Sequence, residues 1–117
     1  MANYVSRATI EPFEFYGLQI RELTPGTLTS ASIAEIEVRP AVAHPLARSI
    51  KSDKLYTCLE GTVVFHVRGQ ELKLQYLDTL FIKRNEWFKY FNDSNKVARL
   101  LLVHIPPFDL GTEELIA

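Results

Sequence analysis

Side chains that can move protons or hold an anion are concentrated between residues 44 and 58 of this 117-residue chain. The segment HPLARSIKSDKLYTC contains the candidates His44, Arg48, Lys54, Tyr56 and Cys58. Lys54, Tyr56 and Cys58 occupy alternate positions, so on a β-strand they share one face. A buried lysine near an arginine favours binding of a carboxylate, an enolate or a phosphate. Burial of such a lysine would also lower its pKa, which would make Lys54 a candidate acid, base or imine-forming amine, whereas the alternative is a solvated edge of the sheet.

The aromatic segment EWFKYF supplies a second group of candidates. Phe88, Tyr90 and Asn92 fall on one face of the strand that this segment predicts. Tyr90 and Tyr56 would together offer a cavity two phenol groups that can donate hydrogen bonds to a carbonyl oxygen. The alternative is core packing, with both hydroxyl groups bonded to backbone.

The three histidines have different settings. His44 precedes Pro45 and either reaches the mouth of a cavity or lies on the surface. His66 is out of phase with its apolar neighbours, which places it on the outer face of a sheet. His104 shares a face with apolar residues, so it is either a core histidine or a group that transfers protons near neutral pH.

The elements that must position these residues are strands. In ASIAEIEVRP, apolar and charged residues alternate with a period of two, and TVVFHV, ELKLQYL, DTLFI and WFKYF are further short strand segments. VARLLLVHI is nearly continuous in apolar residues, as in a strand that is buried on both faces. Pro25-Gly26 predicts a turn, and the tail GTEELIA predicts at most one helical turn. Eight to ten strands predict an all-β sandwich or barrel.

Composition narrows the class of protein. The length fits a single domain, and 47% hydrophobic and 23% charged residues are ordinary for a globular protein. A net charge of −1 argues against nucleic-acid binding, which needs an excess of basic residues. The single cysteine forms no internal disulfide, and the longest apolar run is too short to cross a membrane. We therefore expect a cytoplasmic protein that does not bind membranes.

Two spaced motifs resemble those of the cupins, which are small double-stranded β-helix (jelly-roll) barrels. Gly61 stands where the first cupin motif ends in glycine, and LDTLFIKRNEWFKYFN has the length of the second motif. Within it, Asp78 matches the aspartate of a Gly-Asp turn, and Asn92 matches the last motif position. The resemblance covers residues 40–105. It implies a single cupin domain over residues 1–117, with 1–12 and 109–117 peripheral.

The residues that bind metal in cupins are replaced at the matching positions. Lys54 stands at the glutamate position, and Phe88 stands at the histidine position of the second motif. The two histidines of the first motif become Ala47 and Ser49, or Arg48 and Ile50 with the shorter spacing. A lysine also repels a divalent cation. We therefore expect no metal at the usual site and no cofactor, so only the barrel and its cavity carry over.

Three functions remain open. The first is a metal-independent enzyme of the isomerase, dehydratase, cyclase or lyase type that acts on a small carbonyl or carboxylate compound. The second is a binding module without catalysis, and the third is a metalloenzyme with a nonstandard site that uses His44 and His104.

For the enzyme, the predicted catalytic residues are Lys54, Tyr56, Tyr90 and His104. The predicted ligand-binding residues are His44, Arg48, Ser49, Cys58, Phe88 and Asn92. We expect a small anionic or carbonyl-containing ligand in the barrel. Trp87 and Phe91 would cover the outer face of a sheet, and the resemblance implies a homodimer formed through such a face.

Overall fold

Two antiparallel sheets face each other in the computed structural model, which describes residues 4–24, 26 and 29–116. The larger sheet has the strand order β1-β2-β3-β10-β5-β8, and the smaller has the order β11-β4-β9-β6-β7. The strands of the described residues are β1 (Phe13–Phe15), β2 (Leu18–Glu22), β3 (Ser32–Val38), β4 (Ala43–Ser49), β5 (Asp53–Glu60), β6 (Val63–Val67), β7 (Gln70–Leu74), β8 (Thr79–Ile82), β9 (Phe88–Phe91), β10 (Ala98–Ile105) and β11 (Glu113–Ile116). The prediction of an all-β protein is confirmed.

The alternating sequence pattern is reproduced as alternating burial. In β3, every second residue from Ser32 to Val38 is buried, and the charged residues between them lie on the outer face. Strand β10 pairs with β3 and β5, so its apolar run lies at the centre of the larger sheet. The expectation that it is buried on both faces is wrong, because only alternate residues of β10 are fully buried and the others stay partly exposed on the outer face. The core fills the space between the two sheets, as the period of two requires.

Strand register brings the candidate residues together. In the larger sheet, Lys54 of β5 is opposite His104 of β10, and Tyr56 is opposite Leu102. In the smaller sheet, His44 of β4 is opposite Tyr90 of β9. Because both sets point into the space between the sheets, they line one interior from opposite sides.

The backbone keeps the motif's glycine geometry even where glycine is absent. Gly61 has a φ of +72°, and a Cβ atom there would lie 2.9 Å from the carbonyl oxygen of Val97. Leu77 and Asn85, at the first and second glycine positions of the second motif, also have positive φ, 64° and 70°. Such values are costly for residues with a Cβ atom, so the fold preserves the two turns against local preference.

The C-terminal segment differs from the expectation of a peripheral tail. A 3-10 turn at Leu110–Thr112 leads into β11, which pairs along its length with β4. The expected helical turn is therefore followed by a full strand. The turn predicted at Pro25-Gly26 includes Pro25, which lies outside the described residues. Within the described ranges, no helix has the length and hydropathy needed to cross a membrane.

Candidate functional site

The largest concentration of polar candidates lines a cavity of about 400 Å³ between the sheets. Five of the ten predicted site residues line it: His44, Lys54, Tyr56, Tyr90 and His104. Most of the remaining wall is apolar, with side chains from β1, β2, β3, β10, β11 and the segment after β10: Phe13, Phe15, Ile20, Ala34, Ile36, Leu102, Phe108, Leu110 and Leu115. A few polar groups in an apolar enclosure are typical of small-molecule sites.

His44 presents one ring nitrogen to this cavity. Its Nδ1 atom lies 2.7 Å from the carbonyl oxygen of Pro45, and because a carbonyl can only accept, Nδ1 carries the proton. The ring stacks near Tyr90 and Phe88, with centroid distances of 4.9 and 5.2 Å. Burial lowers the pKa of His44 to about 4, and the charge of Lys54 adds to this effect, against the Pro45 hydrogen bond. The ring is therefore neutral at neutral pH, and Nε2 carries a lone pair.

Lys54 lies at the centre of a buried polar cluster on the other wall. Its Nζ atom donates to Glu113 Oε1 at 2.6 Å and lies 2.7 Å from His104 Nε2. Only 4% of the Lys54 side chain and 8% of the Glu113 side chain are exposed. Burial lowers the pKa of Lys54, and the Glu113 carboxylate opposes this.

His104 completes the cluster as a neutral acceptor. Burial lowers its pKa to about 3, and the charge of Lys54 lowers it further. The neutral ring accepts a hydrogen bond from the Lys54 ammonium group through Nε2. Two of the three ammonium hydrogens are therefore used within the protein.

Tyr56 and Tyr90 are both 1% exposed, with ring centroids 5.6 Å apart. Burial raises the pKa of both phenols, so both are protonated donors at neutral pH. Among the described residues, the Tyr90 hydroxyl has no hydrogen-bond partner, and neither has Glu113 Oε2. Buried polar atoms without partners are rare and costly, so both atoms mark positions where a ligand group can bond.

The sequence match that decides the family covers more than half of the chain. Residues 35–104 match the model of the family described as the cupin domain. The chain is a cupin. The resemblance seen in the two motifs is thereby confirmed, and the facing sheets are the two halves of the cupin jelly roll.

Among curated proteins, this cupin is similar to the tetracenomycin polyketide synthase protein TcmJ of Streptomyces glaucescens. The two are 29% identical over 108 residues, which cover 86% of this chain and 69% of TcmJ.

Solved structures show the same fold. One of them is Streptomyces Pac13, which is described as a nucleoside dehydratase. A structure of Pac13 with uridine superposes with a TM-score of 0.85 at 17% identity, and the superposition covers 100% of this chain and 92% of Pac13. The polyketide cyclase RemF of Streptomyces resistomycificus superposes with a TM-score of 0.74 at 22% identity, covering 90% and 80% of the two chains.

The structure also decides between the two alignments of the first cupin motif. Ala47 and Ser49 are buried on the inner side of β4, whereas Arg48 points outward, so the longer spacing is the correct one. The inward positions that correspond to the cupin ligands are thus Ala47, Ser49, Lys54 and Phe88. The described part of the chain contains no group of three or more His, Cys, Asp or Glu side chains arranged to hold a metal ion.

Of the predicted residues that do not line the cavity, Arg48 is the farthest from the expected role. Its guanidinium pairs with Glu114 at 3.0 Å and lies 4.9 Å from the centre of the Trp87 ring, on the outer face of the smaller sheet. The expected ligand-binding role of Arg48 does not fit this position, because its guanidinium group is held on the outer face away from the cavity.

The other four predicted ligand-binding residues are buried behind the cavity wall and stabilise the strands around it: Ser49, Cys58, Phe88 and Asn92. Ser49 Oγ accepts from the Ser52 amide, and the Asn92 amide group donates to the carbonyl oxygens of Val38 and Lys96. Cys58 Sγ contacts the carbonyl oxygens of Glu60 and Gly61, and Phe88 supports the His44 ring. These contacts make the four residues supports of the site.

Glu113 is the site residue that sequence reasoning missed. It lies in the tail that was expected to be peripheral, and strand β11 carries its carboxylate to Lys54. The sequence signal for a strand at Glu113 is present but short. In EELI, Glu113 and Leu115 alternate with Glu114 and Ile116. In the structure, Glu113 and Leu115 line the cavity. A period of two over four residues is too short to separate a strand from a helical turn.

Proposed function

We propose that this cupin is a dehydratase that removes water from a small β-hydroxy carbonyl compound. The observation that carries the proposal is the single lone pair of His44 Nε2, held toward the cavity by the hydrogen bond from Nδ1 to Pro45. In this role His44 removes the proton on the carbon next to the carbonyl group. The enolate that forms is an anion beside the ring, and its charge favours the imidazolium form that proton transfer creates.

The phenols of Tyr90 and Tyr56 suit the carbonyl oxygen of the substrate. Both are protonated and buried, and the Tyr90 hydroxyl has no partner among the described residues. Fixed donors on buried side chains stabilise the negative charge that develops on oxygen as the enolate forms. Tyr90 also stacks on His44, so the base and the donor are positioned by the same contact.

Lys54 serves the leaving group on the opposite wall. When the enolate reforms the carbonyl, the bond between carbon and the β-oxygen breaks, and the third ammonium hydrogen of Lys54 transfers to that oxygen. Water leaves, the product is the conjugated enone, and the proton held by His44 later restores Lys54 through solvent. His104 positions Lys54 by accepting one of its other hydrogens.

The comparisons support this reaction class. Pac13 is described as a nucleoside dehydratase, and three of its structures with uridine carry a substitution of one histidine or of one of two tyrosines. Those two tyrosines are 34 residues apart, as are Tyr56 and Tyr90 (90 − 56 = 34). TcmJ and RemF are described as a polyketide synthase protein and a polyketide cyclase. Ring closure between two carbonyl groups needs the same enolate chemistry and ends in the loss of water.

The test is turnover of a β-hydroxy ketone that fits the cavity, such as the aldol of acetone and benzaldehyde, whose dehydration to benzalacetone is followed by its absorbance. We expect His44→Gln to lower the rate by at least about a hundredfold, as the loss of a general base does. His66→Gln is the matched control, because His66 lies on the outer face near Glu71, and it should keep the full rate.

Two results would contradict the proposal. The first is a full rate for His44→Gln. The second is tight binding of such ketones without any turnover, which would favour the binding module instead. Elemental analysis of protein purified without chelator tests the remaining alternative, since stoichiometric metal would favour a metalloenzyme that uses His44 and His104.

A further inference from the structure

One oxygen of Glu113 has no bond within the protein. Oε1 is held by Lys54 at 2.6 Å, whereas Oε2 is buried and has no partner among the described residues. The side chain lines the cavity from β11. A buried carboxylate oxygen can only accept, and leaving it unpaired costs free energy. The group that belongs opposite it is a hydrogen-bond donor.

The positive charge of Lys54 is already matched at this end of the cavity. Two of its three hydrogens go to Glu113 Oε1 and His104 Nε2, which leaves one for a ligand. Lys54 therefore presents a single donor next to a single acceptor, Glu113 Oε2. A hydroxyl group can bond to both at once, because its oxygen accepts and its hydrogen donates.

The charge of the whole lining disfavours an anion. Lys54 and Glu113 form a buried pair whose charges cancel, and the other charged residues of the lining are the exposed Glu14 and the half-buried Glu22, which gives a formal charge of −2 (1 − 3 = −2), since both histidines are neutral. In an enclosure of low polarity, a carboxylate ligand would be repelled by Glu113 at close range. The expectation of an anionic ligand held by Arg48 and Lys54 therefore does not fit this charge distribution.

We propose that the Lys54–Glu113 pair is a subsite for an uncharged hydroxyl group, and that the cavity selects neutral hydroxy carbonyl compounds over carboxylates. The subsite deepens the proposed dehydratase function and rests on it for the identity of that hydroxyl as the leaving group. Its ligand preference is nevertheless a property of binding, so it is measured without turnover.

The experiment compares three matched probes by calorimetry or ligand-observed NMR. They are the aldol of acetone and benzaldehyde, benzylacetone, which lacks the hydroxyl, and the keto acid in which a carboxylate replaces it. We expect the aldol to bind the unaltered protein roughly tenfold more tightly than benzylacetone, the usual effect of one hydrogen bond to a charged group. The keto acid should bind most weakly.

Glu113→Gln removes the charge and keeps the size of the side chain. We expect it to reduce the preference for the aldol over benzylacetone to about twofold and to tighten binding of the keto acid by about tenfold or more. Glu114→Gln is the matched control, since this neighbour points outward to Arg48, and it should leave all three affinities unchanged.

A merely structural role of Glu113 would weaken all three probes together, which would overturn the proposal. So would a keto acid that binds the unaltered protein as tightly as the aldol, or no measurable preference among the probes at millimolar concentration. If the preferences appear but the aldol is not dehydrated, the subsite stands and the dehydratase function fails. If dehydration occurs but Glu113→Gln leaves the preferences unchanged, the subsite fails alone.

Discussion

The two walls of the cavity each contain a buried neutral histidine, and the two histidines are used differently. His44, on the smaller sheet, directs Nδ1 to a backbone carbonyl oxygen and leaves Nε2 facing the cavity. His104, on the larger sheet, has Nε2 occupied by Lys54. Burial lowers the pKa of both, to about 4 and about 3, so charge does not distinguish them.

The difference between the two lies in which nitrogen is bonded and to what. A histidine whose free nitrogen faces a cavity can take a proton from a ligand, whereas one whose nitrogen already accepts from a lysine can only position that lysine. The wall of the smaller sheet is thus suited to proton removal. The wall of the larger sheet supplies Lys54, which is suited to holding a hydroxyl group together with Glu113 from β11, the edge strand of the smaller sheet.

The largest effect on stability should come from the buried ion pair that joins Lys54 of the larger sheet to Glu113 of the smaller sheet. Lys54→Met removes the partner of Glu113 and leaves a carboxylate buried without a counter-charge. We expect the free energy of unfolding to fall by about 3–5 kcal/mol, as when one member of a buried ion pair is removed. Urea unfolding followed by circular dichroism measures this.

The double variant Lys54→Met with Glu113→Leu is the control for that loss. Because it removes both charges, it should recover most of the stability. If the double variant is as unstable as Lys54→Met alone, packing of the lysine stem and not the ion pair determines the effect.

Both walls should contribute to a loss of stability in mild acid. The pKa of each histidine is lower in the folded protein than its ordinary value of 6.5, so below pH 6.5 the unfolded chain takes up protons that the folded chain does not. This contribution to stability is complete above pH 6.5 and is lost as the pH falls to about 4 for His44 and about 3 for His104, with a loss of roughly 3 kcal/mol per histidine by pH 4.

Urea midpoints measured across this range test the pH effect. His44→Gln and His104→Gln should each make the dependence shallower by a similar amount, since each removes one of the two groups. A dependence that is unchanged in both variants would show that neither histidine is held neutral by the fold.

On the wall of the smaller sheet, Tyr90→Phe should separate stability from activity. The Tyr90 hydroxyl is buried and has no partner among the described residues, so its removal should stabilise the protein by about 1 kcal/mol. The same change should slow dehydration of the aldol, because it removes a donor to the carbonyl oxygen. Thermal unfolding and a rate assay on one sample measure both, and a clear loss of stability would indicate an internal bond to this hydroxyl.

The smallest effect should come from outside both walls. Arg48→Ala breaks the pair with Glu114, whose side chain is 41% exposed, and it should cost less than about 1 kcal/mol. It should not change the affinity of the three matched probes. A large loss of affinity would mean that Arg48 reaches the ligand after all.

Much of the fold was accessible from the sequence because its signals are local. The period of two in β3 predicts a half-buried strand, which is found. The apolar run of β10 predicts a strand that is buried on both faces, whereas only alternate residues of this central strand are fully buried. Gly61 matches the closing glycine of the first motif, and its positive φ together with the close approach of the Val97 carbonyl oxygen explains why glycine is needed there. Leu77 and Asn85 adopt the same geometry without glycine, so motif spacing was more informative there than residue identity.

Only half of the predicted site residues line the cavity, because the site is assembled by the register between strands that are distant in sequence. The period of two put Lys54 and Tyr56 on one face of β5 and Tyr90 on the face of β9 that carries Phe88, and the cupin motif positions indicated that these faces point inward. All three side chains line the cavity. Whether Arg48 faces inward or outward on β4 depends on which of the two spacings of the first motif applies, and the sequence alone does not decide between them. Glu113 pairs with a lysine 59 positions away, and no pattern within the tail indicates such a partner.

The position of β11 has a practical consequence for how this protein is cut and compared. The part that matches the family ends at residue 104, yet Glu113 and Leu115 from beyond it, and Phe13 and Phe15 from before it, line the cavity. A fragment trimmed to the matched region would lack the parts of the cavity wall that these flanking strands supply. Two cupins can therefore share every motif position and still differ in substrate, because the segments that flank the motifs differ.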